Sequence, residues 1–142
     1  MEPRVSFITL GVRDLARATS FYKDVLRLPQ LPSPAGVVAF FEMGKTWLSL
    51  FPREDLAADA GVPAEGSGFR GISLGYCTRS RDEVDTLIAR AESAGAKVVV
   101  APRETFWGGY GAYFADPDGH LWEIAWNPFW VVTPEGATLL KA

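Results

Sequence analysis

The sequence predicts an α+β protein built from two β-α-β-β-β modules, whose curved mixed sheets enclose a central cleft. Three observations lead to this prediction. Strand-like and helix-like hydrophobic periodicity alternate along the 142 residues. Short motifs in the first half reappear in the second half. Near the end of the second half, the turn sequence Asp-Pro-Asp-Gly at 116–119 joins two aromatic strands.

The internal repeat sets the domain organisation. The matched pairs are 8–11 with 72–75, 38–41 with 111–114, and 47–50 with 121–124. Because both halves also contain a helical segment after their first strand, each half has β-α-β-β-β order. We therefore predict a single domain, 1–142, in four parts. These parts are a first module at 5–51, a linker at 52–68, a second module at 69–127, and an apolar tail at 128–142.

The elements of the first module follow from local patterns. Residues 5–12 predict a strand, and Asp14 is well suited to cap the helix that follows. Apolar residues then recur at helical spacing between Leu15 and Leu26. Two further strands, at 37–43 and 46–51, flank a short turn.

The linker at 52–68 is rich in Ala, Gly, Pro and acidic residues, which predicts a loop with at most one helical turn. A strand at 69–76 opens the second module. Ser80 is suited to cap the next helix, which Gly95 ends. A short strand at 97–101 precedes a Gly-rich aromatic loop and the closing hairpin.

Composition narrows the range of partners. The net charge of −3 gives no electrostatic reason to expect nucleic acid, and no apolar run is long enough for a membrane span. The first residues carry no signal-peptide pattern, and the single cysteine, Cys77, suits a reducing compartment. These observations predict a cytoplasmic protein with no nucleic-acid and no membrane partner.

Three stretches resemble one known family. They are Gly-Val-Arg-Asp-Leu at 11–15, Ser-Phe-Tyr-Lys-Asp-Val-Leu at 20–26, and Tyr-Phe-Ala-Asp-Pro-Asp-Gly at 113–119 followed by Glu123. Together with the repeat, they resemble the vicinal oxygen chelate superfamily. This superfamily includes glyoxalase I, extradiol dioxygenases, fosfomycin resistance proteins and bleomycin resistance proteins. The resemblance spans residues 5–127, and it implies the paired-module fold and a homodimer.

The resemblance also implies four positions for metal ligands, which are His, Gln or Glu in the metal-dependent members. They correspond here to Phe7, Ser49, Gly71 and Glu123. Only Glu123 is a ligand of that kind, since Phe7 and Gly71 have no side-chain donor and Ser49 has a weak one. The chain is therefore most similar to metal-free members, and we expect neither a metal nor another cofactor.

Glu123 is the most informative single residue, because it is a carboxylate within the otherwise apolar run at 121–126. An unpaired charge removed from water costs several kcal/mol, so Glu123 is expected to face a cavity, a cation or a ligand. Its functional interpretation is a general base or an acceptor for a ligand. The alternative is an ion pair with Arg4, Arg70 or Arg103, or contact with water at the mouth of the cavity.

Strand alternation groups other side chains with Glu123 on the inner walls. The predicted ligand-binding set is Phe7, Trp47, Ser49, Phe51, Phe69, Trp107, Tyr110 and Glu123. An apolar wall with a few polar groups is typical of small-molecule pockets. The alternative is that these side chains simply fill the cavity as core. The loop at 106–110 is interpreted as a ligand-stacking lid or as a dimer contact.

We therefore expect a metal-independent protein that binds and sequesters a small aromatic or cationic apolar compound. The competing hypothesis is a lyase or isomerase with Glu123 as general base. A third is a structural or regulatory protein whose cavity is closed by side chains. The tail contains Phe129 and Trp130, and we expect it to pack on the body or on a second subunit.

Overall fold

The computed structural model describes residues 1–142 and contains two compact units, Met1–Arg70 and Gly71–Ala142. Each unit holds a four-stranded sheet with one parallel and two antiparallel strand pairs. The predicted α+β fold of two β-α-β-β-β modules is thereby confirmed. None of the helices has the length and apolar character that a membrane crossing requires.

The first unit contains four strands, two α-helices and one π-helical turn. In chain order these are β1 (Phe7–Val12), α1 (Leu15–Ser20), the π-helical turn (Phe21–Val25), β2 (Gln30–Leu31), β3 (Ala39–Met43), β4 (Thr46–Pro52) and α2 (Arg53–Ala60). The sheet order is β1-β4-β3-β2, with β1 parallel to β4. The short strand β2 lies where the sequence predicted only a loop.

The first helix forms where the sequence predicted it. The Asp14 side chain accepts a hydrogen bond from the Arg17 backbone N–H at 2.9 Å, which satisfies one unpaired donor of the first turn. Ala18 and Tyr22 are fully buried, and the Tyr22 ring lies 5.9 Å from that of Phe41 on β3. A fully buried large apolar side chain such as Phe41 stabilises the fold by roughly 2 kcal/mol.

The linker differs from its prediction, because α2 has eight residues rather than one turn. The Arg53 guanidinium donates two hydrogen bonds, at 3.0 and 2.8 Å, to the Ala64 carbonyl. The close approach of Arg53 to Gly11, where a Cβ would lie 3.3 Å from the Arg53 Cα, shows that α2 packs on β1. An Ala-rich, acidic segment without an apolar stripe carries no periodic signal, so the helix depends on this packing.

The second unit contains six strands and one helix. In chain order these are β5 (Leu74–Cys77), α3 (Arg81–Ser93), β6 (Lys97–Glu104), β7 (Tyr110–Ala115), β8 (Leu121–Trp126), β9 (Trp130–Val132) and β10 (Thr138–Leu140). The main sheet has the order β5-β8-β7-β6, with β5 parallel to β8. Strands β9 and β10 form a separate antiparallel pair within the tail.

The helix α3 covers one face of this sheet. The Ser80 hydroxyl accepts a hydrogen bond from the Glu83 backbone N–H at 3.2 Å, as the predicted cap requires. Val84 and Ile88 face the sheet and are buried. Beneath the helix, Phe114 on β7 stacks on Trp122 on β8 with a centroid distance of 6.4 Å.

The turn between β7 and β8 is held by Asp116. Its carboxylate accepts hydrogen bonds from the backbone N–H groups of Asp118 at 2.9 Å and His120 at 2.8 Å. Gly119 adopts a φ of +87°, which a side chain would disfavour. This turn fixes the register that places Tyr113 opposite Glu123.

The strand predicted at 69–76 begins later, at Leu74. Gly68 and Gly71 have φ angles of +78° and +77°, so the chain before β5 is not extended. Phe69 and Gly71 consequently lie outside the sheet, and Phe69 is 74% exposed. An apolar run alone could not reveal this late start, because the glycines bend the backbone without changing the hydropathy pattern.

Strand register confirms two of the three repeat pairs and corrects the third. Phe40 lies opposite Ser49, and Tyr113 lies opposite Glu123, as the repeat predicts. The parallel partner of Ser49 is Thr9, whereas that of Glu123 is Gly75. The equivalent of Thr9 is therefore Gly75, two residues beyond the position that the Ile-polar-Leu-Gly motifs indicated.

Candidate functional site

Each unit has its own pocket on the sheet face opposite its buried core. The pocket in the second unit has a volume of about 590 Å³, and the one in the first unit about 440 Å³. Both volumes fall within the range typical of small-molecule sites. Each of these two sheet faces therefore leaves a pocket of ligand size.

The second-unit pocket combines β5, β8, the loop before β7 and the tail. Its lining residues are Gly75, Tyr76, Cys77, Trp107, Glu123, Ala125, Asn127, Phe129, Trp130 and Thr138. Four of these carry aromatic rings, and Glu123 is the only carboxylate among them. The pocket is therefore aromatic and carries a single ionised acid.

Glu123 reaches the pocket because strand alternation separates it from its neighbours on β8. Trp122 and Ile124 are buried on the core side, while Glu123 is half-buried on the pocket side. Glu123 forms no ion pair with any of the three arginines considered above, and Arg4 pairs instead with Glu2 at 2.7 Å. The cavity-facing interpretation of Glu123 thus fits the structure, and the ion-pair alternative does not.

The side chain opposite Glu123 is that of Tyr113 on β7. The Tyr113 side chain lies close enough to Glu123 for the carboxylate to influence its pKa. Burial, together with the negative charge of Glu123, raises the pKa of Tyr113 above its usual value. The phenol therefore stays protonated and remains a donor at neutral pH.

Cys77 lies in the same pocket. Burial raises the pKa of the Cys77 thiol above its usual value. A hydrogen bond with Thr138 lowers that pKa, and the charge of Glu123 raises it further. The thiol is therefore mostly protonated at neutral pH, which makes it a poor nucleophile.

The Gly-rich loop contributes Trp107 to the pocket. The Thr105 hydroxyl and carbonyl accept hydrogen bonds from the backbone N–H groups of Gly109 at 2.9 Å and Gly108 at 3.1 Å. The Trp107 ring lies against Gly109, where a Cβ would stand 1.8 Å from the ring. Phe106, in contrast, points fully into solvent.

Tyr110 lies on the other side of the sheet, with α3. Its hydroxyl donates a hydrogen bond to Asp85 at 2.8 Å. The Arg81 guanidinium lies 5.4 Å from the Tyr110 ring centroid and 5.0 Å from that of Trp126. The same guanidinium forms a two-pronged ion pair with Glu104, the last residue of β6. Arg81 thus holds the residues at both ends of the Trp107 loop.

The first-unit pocket is more apolar. Its lining residues are Phe7, Thr9, Val37, Val38, Phe40, Trp47, Ser49, Phe51, Leu56 and Asp59. The hydroxyls of Thr9 and Ser49 hydrogen-bond to each other at 2.5 Å, so both polar groups are already satisfied. Helix α2, from the predicted linker, supplies one wall through Leu56 and Asp59.

The residues at the four metal-ligand positions do not suit a divalent ion. Ser49 is 2% exposed and already hydrogen-bonded, and Phe7 offers no donor. The observed register moves the third position from Gly71 to Ser73, whose hydroxyl is a weak ligand. No group of three or more His, Cys, Asp or Glu side chains gathers anywhere in the chain. A stable site needs three or four converging donors, and Glu123 alone cannot supply them.

Six of the eight predicted binding residues line one of the two pockets. Phe7, Trp47, Ser49 and Phe51 line the first-unit pocket, and Trp107 and Glu123 line the second-unit pocket. Phe69 and Tyr110 line neither pocket. Phe69 precedes β5, and Tyr110 packs with α3.

Sequence reasoning missed several residues of the second-unit pocket. Strand alternation contains the signal for Cys77, which shares a strand face with Gly75. The hairpin turn contains the signal that Tyr113 lies opposite Glu123. Asn127, Phe129, Trp130 and Thr138 belong to the tail. Their position depends on how the tail folds back, for which the sequence carries no periodic signal.

Comparison with known proteins gives consistent matches. A family model described as the Glyoxalase/Bleomycin resistance protein/Dioxygenase superfamily matches residues 4–124. The metallothiol transferase FosB from Shouchella clausii is 30% identical over 122 residues, which cover 84% of this chain and 77% of that protein.

Two solved structures extend the comparison. A glyoxalase-related enzyme from Fulvimarina pelagi has a TM-score of 0.88 and 31% identity, and the match covers 99% of both chains. A lactoylglutathione lyase from Agrobacterium tumefaciens has a TM-score of 0.68 and 27% identity, with coverage of 89% of this chain and 96% of that one. The paired-module architecture is therefore shared along almost the whole chain.

Proposed function

The chain belongs to the glyoxalase/bleomycin resistance protein/dioxygenase superfamily, and on this premise we propose that it binds a small organic cation with an apolar, aromatic body, without a metal. The second-unit pocket is the proposed site. The observation that carries the proposal is the unpaired Glu123 carboxylate in a wall that includes Tyr76, Trp107, Phe129 and Trp130.

The chemistry of this wall favours a cation. Aromatic faces carry negative electrostatic potential and attract cations, most strongly when water is excluded. Glu123 adds a carboxylate to this wall, and its oxygens can accept hydrogen bonds from a ligand. Because no cationic side chain lines the pocket, an anionic ligand would meet repulsion without compensation.

The binding experiment uses proflavine, a planar aromatic cation, and anilinonaphthalene sulfonate, an anion of similar size. We expect proflavine to quench tryptophan fluorescence saturably and the anion to bind far more weakly. Glu123→Gln should reduce proflavine affinity about ten-fold, the equivalent of ~1.4 kcal/mol. Glu92→Gln, an exposed change on α3, is the matched control. Equal affinity in the wild type and Glu123→Gln would contradict the proposal.

Metal independence has its own test, because the Shouchella clausii relative is named a metallothiol transferase. Of the four metal-ligand positions in this chain, only the one held by Glu123 carries a suitable ligand. We expect protein purified without chelator to contain less than one equivalent of any divalent metal. Proflavine affinity should also be the same with and without EDTA. A stoichiometric metal whose removal abolishes binding would show that other donors complete a site.

A second candidate is a lyase or isomerase with Glu123 as general base. The observation that favours it is the Tyr113–Glu123 pair, which places a phenol directly opposite a carboxylate on neighbouring strands. Its test is hydrogen exchange in D₂O, followed by NMR, at carbons next to the carbonyl group of small keto compounds. Exchange that is lost in Glu123→Gln would support a lyase or isomerase with Glu123 as general base. If no compound of the panel exchanged, the enzyme hypothesis would be contradicted and the binding function would stand.

The predicted homodimer is likewise a proposal. Phe7, Trp47 and Leu140 are exposed apolar side chains that a second subunit would cover. Analytical ultracentrifugation at several protein concentrations tests it, and a monomer throughout would contradict it. Cytoplasmic location and the lack of nucleic-acid partners remain predictions from the single cysteine and the net charge of −3.

A further inference from the structure

The C-terminal hairpin supplies much of the second-unit pocket. We define it as residues 130–140, comprising β9, β10 and the turn between them. The hairpin and the residues just before it contribute four of the ten lining residues. These four are Asn127, Phe129, Trp130 and Thr138.

These four residues lie beyond the part of the chain that the family model matches. That match ends at residue 124, just after Glu123. The Fulvimarina pelagi structure, in contrast, matches 99% of this chain and therefore includes the hairpin region. One wall of the pocket, which carries Glu123, thus lies within the family match. The other wall, which carries Phe129 and Trp130, lies beyond it.

A few specific contacts hold the hairpin in place. The Arg79 guanidinium donates a hydrogen bond to the Thr133 carbonyl at 2.6 Å, and Thr138 lines the pocket alongside Cys77. Lys141 closes the base through its backbone N–H, which donates to the Phe129 carbonyl at 2.8 Å. A two-stranded hairpin is marginally stable alone, so these contacts determine where its rings lie.

The hairpin contributes little to the core. Leu139 is 55% exposed and Leu140 is 81% exposed, while the buried apolar residues of the second unit all precede residue 126. The hairpin adds aromatic rings to the pocket but does not support the core. Substitutions in the hairpin can therefore change the ligand preference without unfolding the module. From these observations we infer that the C-terminal hairpin is the specificity wall of the second-unit pocket, where Trp130 selects ligands with a flat aromatic body.

This inference rests on the proposed binding function, and its test separates the two. Proflavine is compared with phenyltrimethylammonium, a smaller cation with one ring. Trp130→Ala should lower proflavine affinity about ten-fold, because stacking of a large ring system is lost, and should affect the smaller cation less. Phe106→Ala, which removes a fully exposed ring, is the matched control and should change neither affinity.

A second measurement does not depend on any ligand. Cys77 is the only cysteine, so iodoacetamide reports its accessibility alone. Arg79→Met removes the hydrogen bond to Thr133 without altering a lining residue, and we expect it to raise the alkylation rate several-fold, as should Trp130→Ala. Circular dichroism and urea unfolding check that both variants keep the module folded.

The outcomes are distinguishable. If proflavine binds the wild type and Trp130→Ala binds both cations as the wild type does, the specificity wall is refuted and the binding function stands. If proflavine does not bind the wild type, the proposed function fails for this class of cation. The alkylation rates then decide whether the hairpin covers the pocket, and unchanged rates in both variants overturn the inference.

Discussion

Tyr113 lies directly opposite Glu123 on the neighbouring antiparallel strand, and burial together with the charge of Glu123 raises the pKa of its phenol. In the first module the corresponding positions are held by Phe40 and Ser49. Ser49 forms a hydrogen bond with its parallel neighbour, Thr9. The two modules therefore present chemically different pockets on the same scaffold. One pocket has the Glu123 carboxylate among aromatic rings, and the other has a self-satisfied hydroxyl pair and one carboxylate from α2.

Tyr113→Phe removes the phenol that lies opposite Glu123. We expect the free energy of unfolding of the wild type, but not that of the variant, to depend on pH in the range where this phenol ionises. The folded pKa of Tyr113 is raised, so its contribution is fully present below the unfolded pKa of about 10 and is lost as pH rises through the folded pKa. The difference between wild type and variant should therefore shrink above about pH 10.

Urea unfolding measured from neutral pH to alkaline pH tests this expectation. Tyr76→Phe is the matched control. It removes a phenol of the second unit that does not lie opposite Glu123 in the sheet. A stability difference for Tyr113→Phe that is constant with pH would show that the phenol is not coupled to Glu123.

Gly109→Ala should displace Trp107 from the pocket. The new Cβ would stand 1.8 Å from the Trp107 ring, so the indole must rotate away. We expect proflavine affinity to fall about ten-fold, the usual consequence of one lost aromatic contact. Fluorescence titration measures this loss.

The control is a double-mutant cycle. In a Trp107→Ala background, Gly109→Ala should cost no further affinity, because there is no ring left to displace. Additive losses would mean that Gly109 acts on the loop backbone rather than through Trp107.

Substitutions around Cys77 should shift its pKa in opposite directions. Glu123→Gln removes a negative charge and should lower the pKa of the thiol, while Thr138→Val removes a hydrogen bond and should raise it. The pH dependence of alkylation by iodoacetamide gives both values. Shifts of the same sign in the two variants would contradict this account of the pocket electrostatics.

Arg81→Met should loosen the Trp107 loop. The guanidinium contacts Glu104 before the loop and Tyr110 after it, and both contacts are lost in the variant. We expect weaker proflavine binding and faster proteolysis within 105–109. Arg103→Met, an exposed change on the same strand as Glu104, is the control. If Arg81→Met bound proflavine and resisted proteolysis as well as the wild type, the loop at 105–109 would keep its position without the Arg81 contacts.

Residues with local chemical signals were predicted correctly. Asp14 and Ser80 cap their helices, because a short polar side chain before an amphipathic run satisfies unpaired backbone donors. The Asp-Pro-Asp-Gly turn holds its strands in register, and alternation along β8 turns Glu123 toward the pocket. Each of these features depends on neighbours within a few residues.

Residues whose position depends on distant contacts were predicted less well. Tyr110 and Trp107 belong to the same aromatic loop in the sequence, but Tyr110 packs with α3 and Trp107 lines the pocket. Phe69 was assigned to a strand that begins only at Leu74. Helix α2 forms through packing on β1 rather than through an apolar stripe.

Caps, turns and periodicity predicted the two-module repeat, its principal helices and strands, and the orientation of Glu123, because these signals come from residues close together in the chain. Only tertiary packing established the register that pairs Thr9 with Ser49 but Gly75 with Glu123. It also decided that the tail returns as a hairpin to complete the pocket around Glu123. Register and chain return are set by packing between distant segments, for which a single sequence carries no local signal.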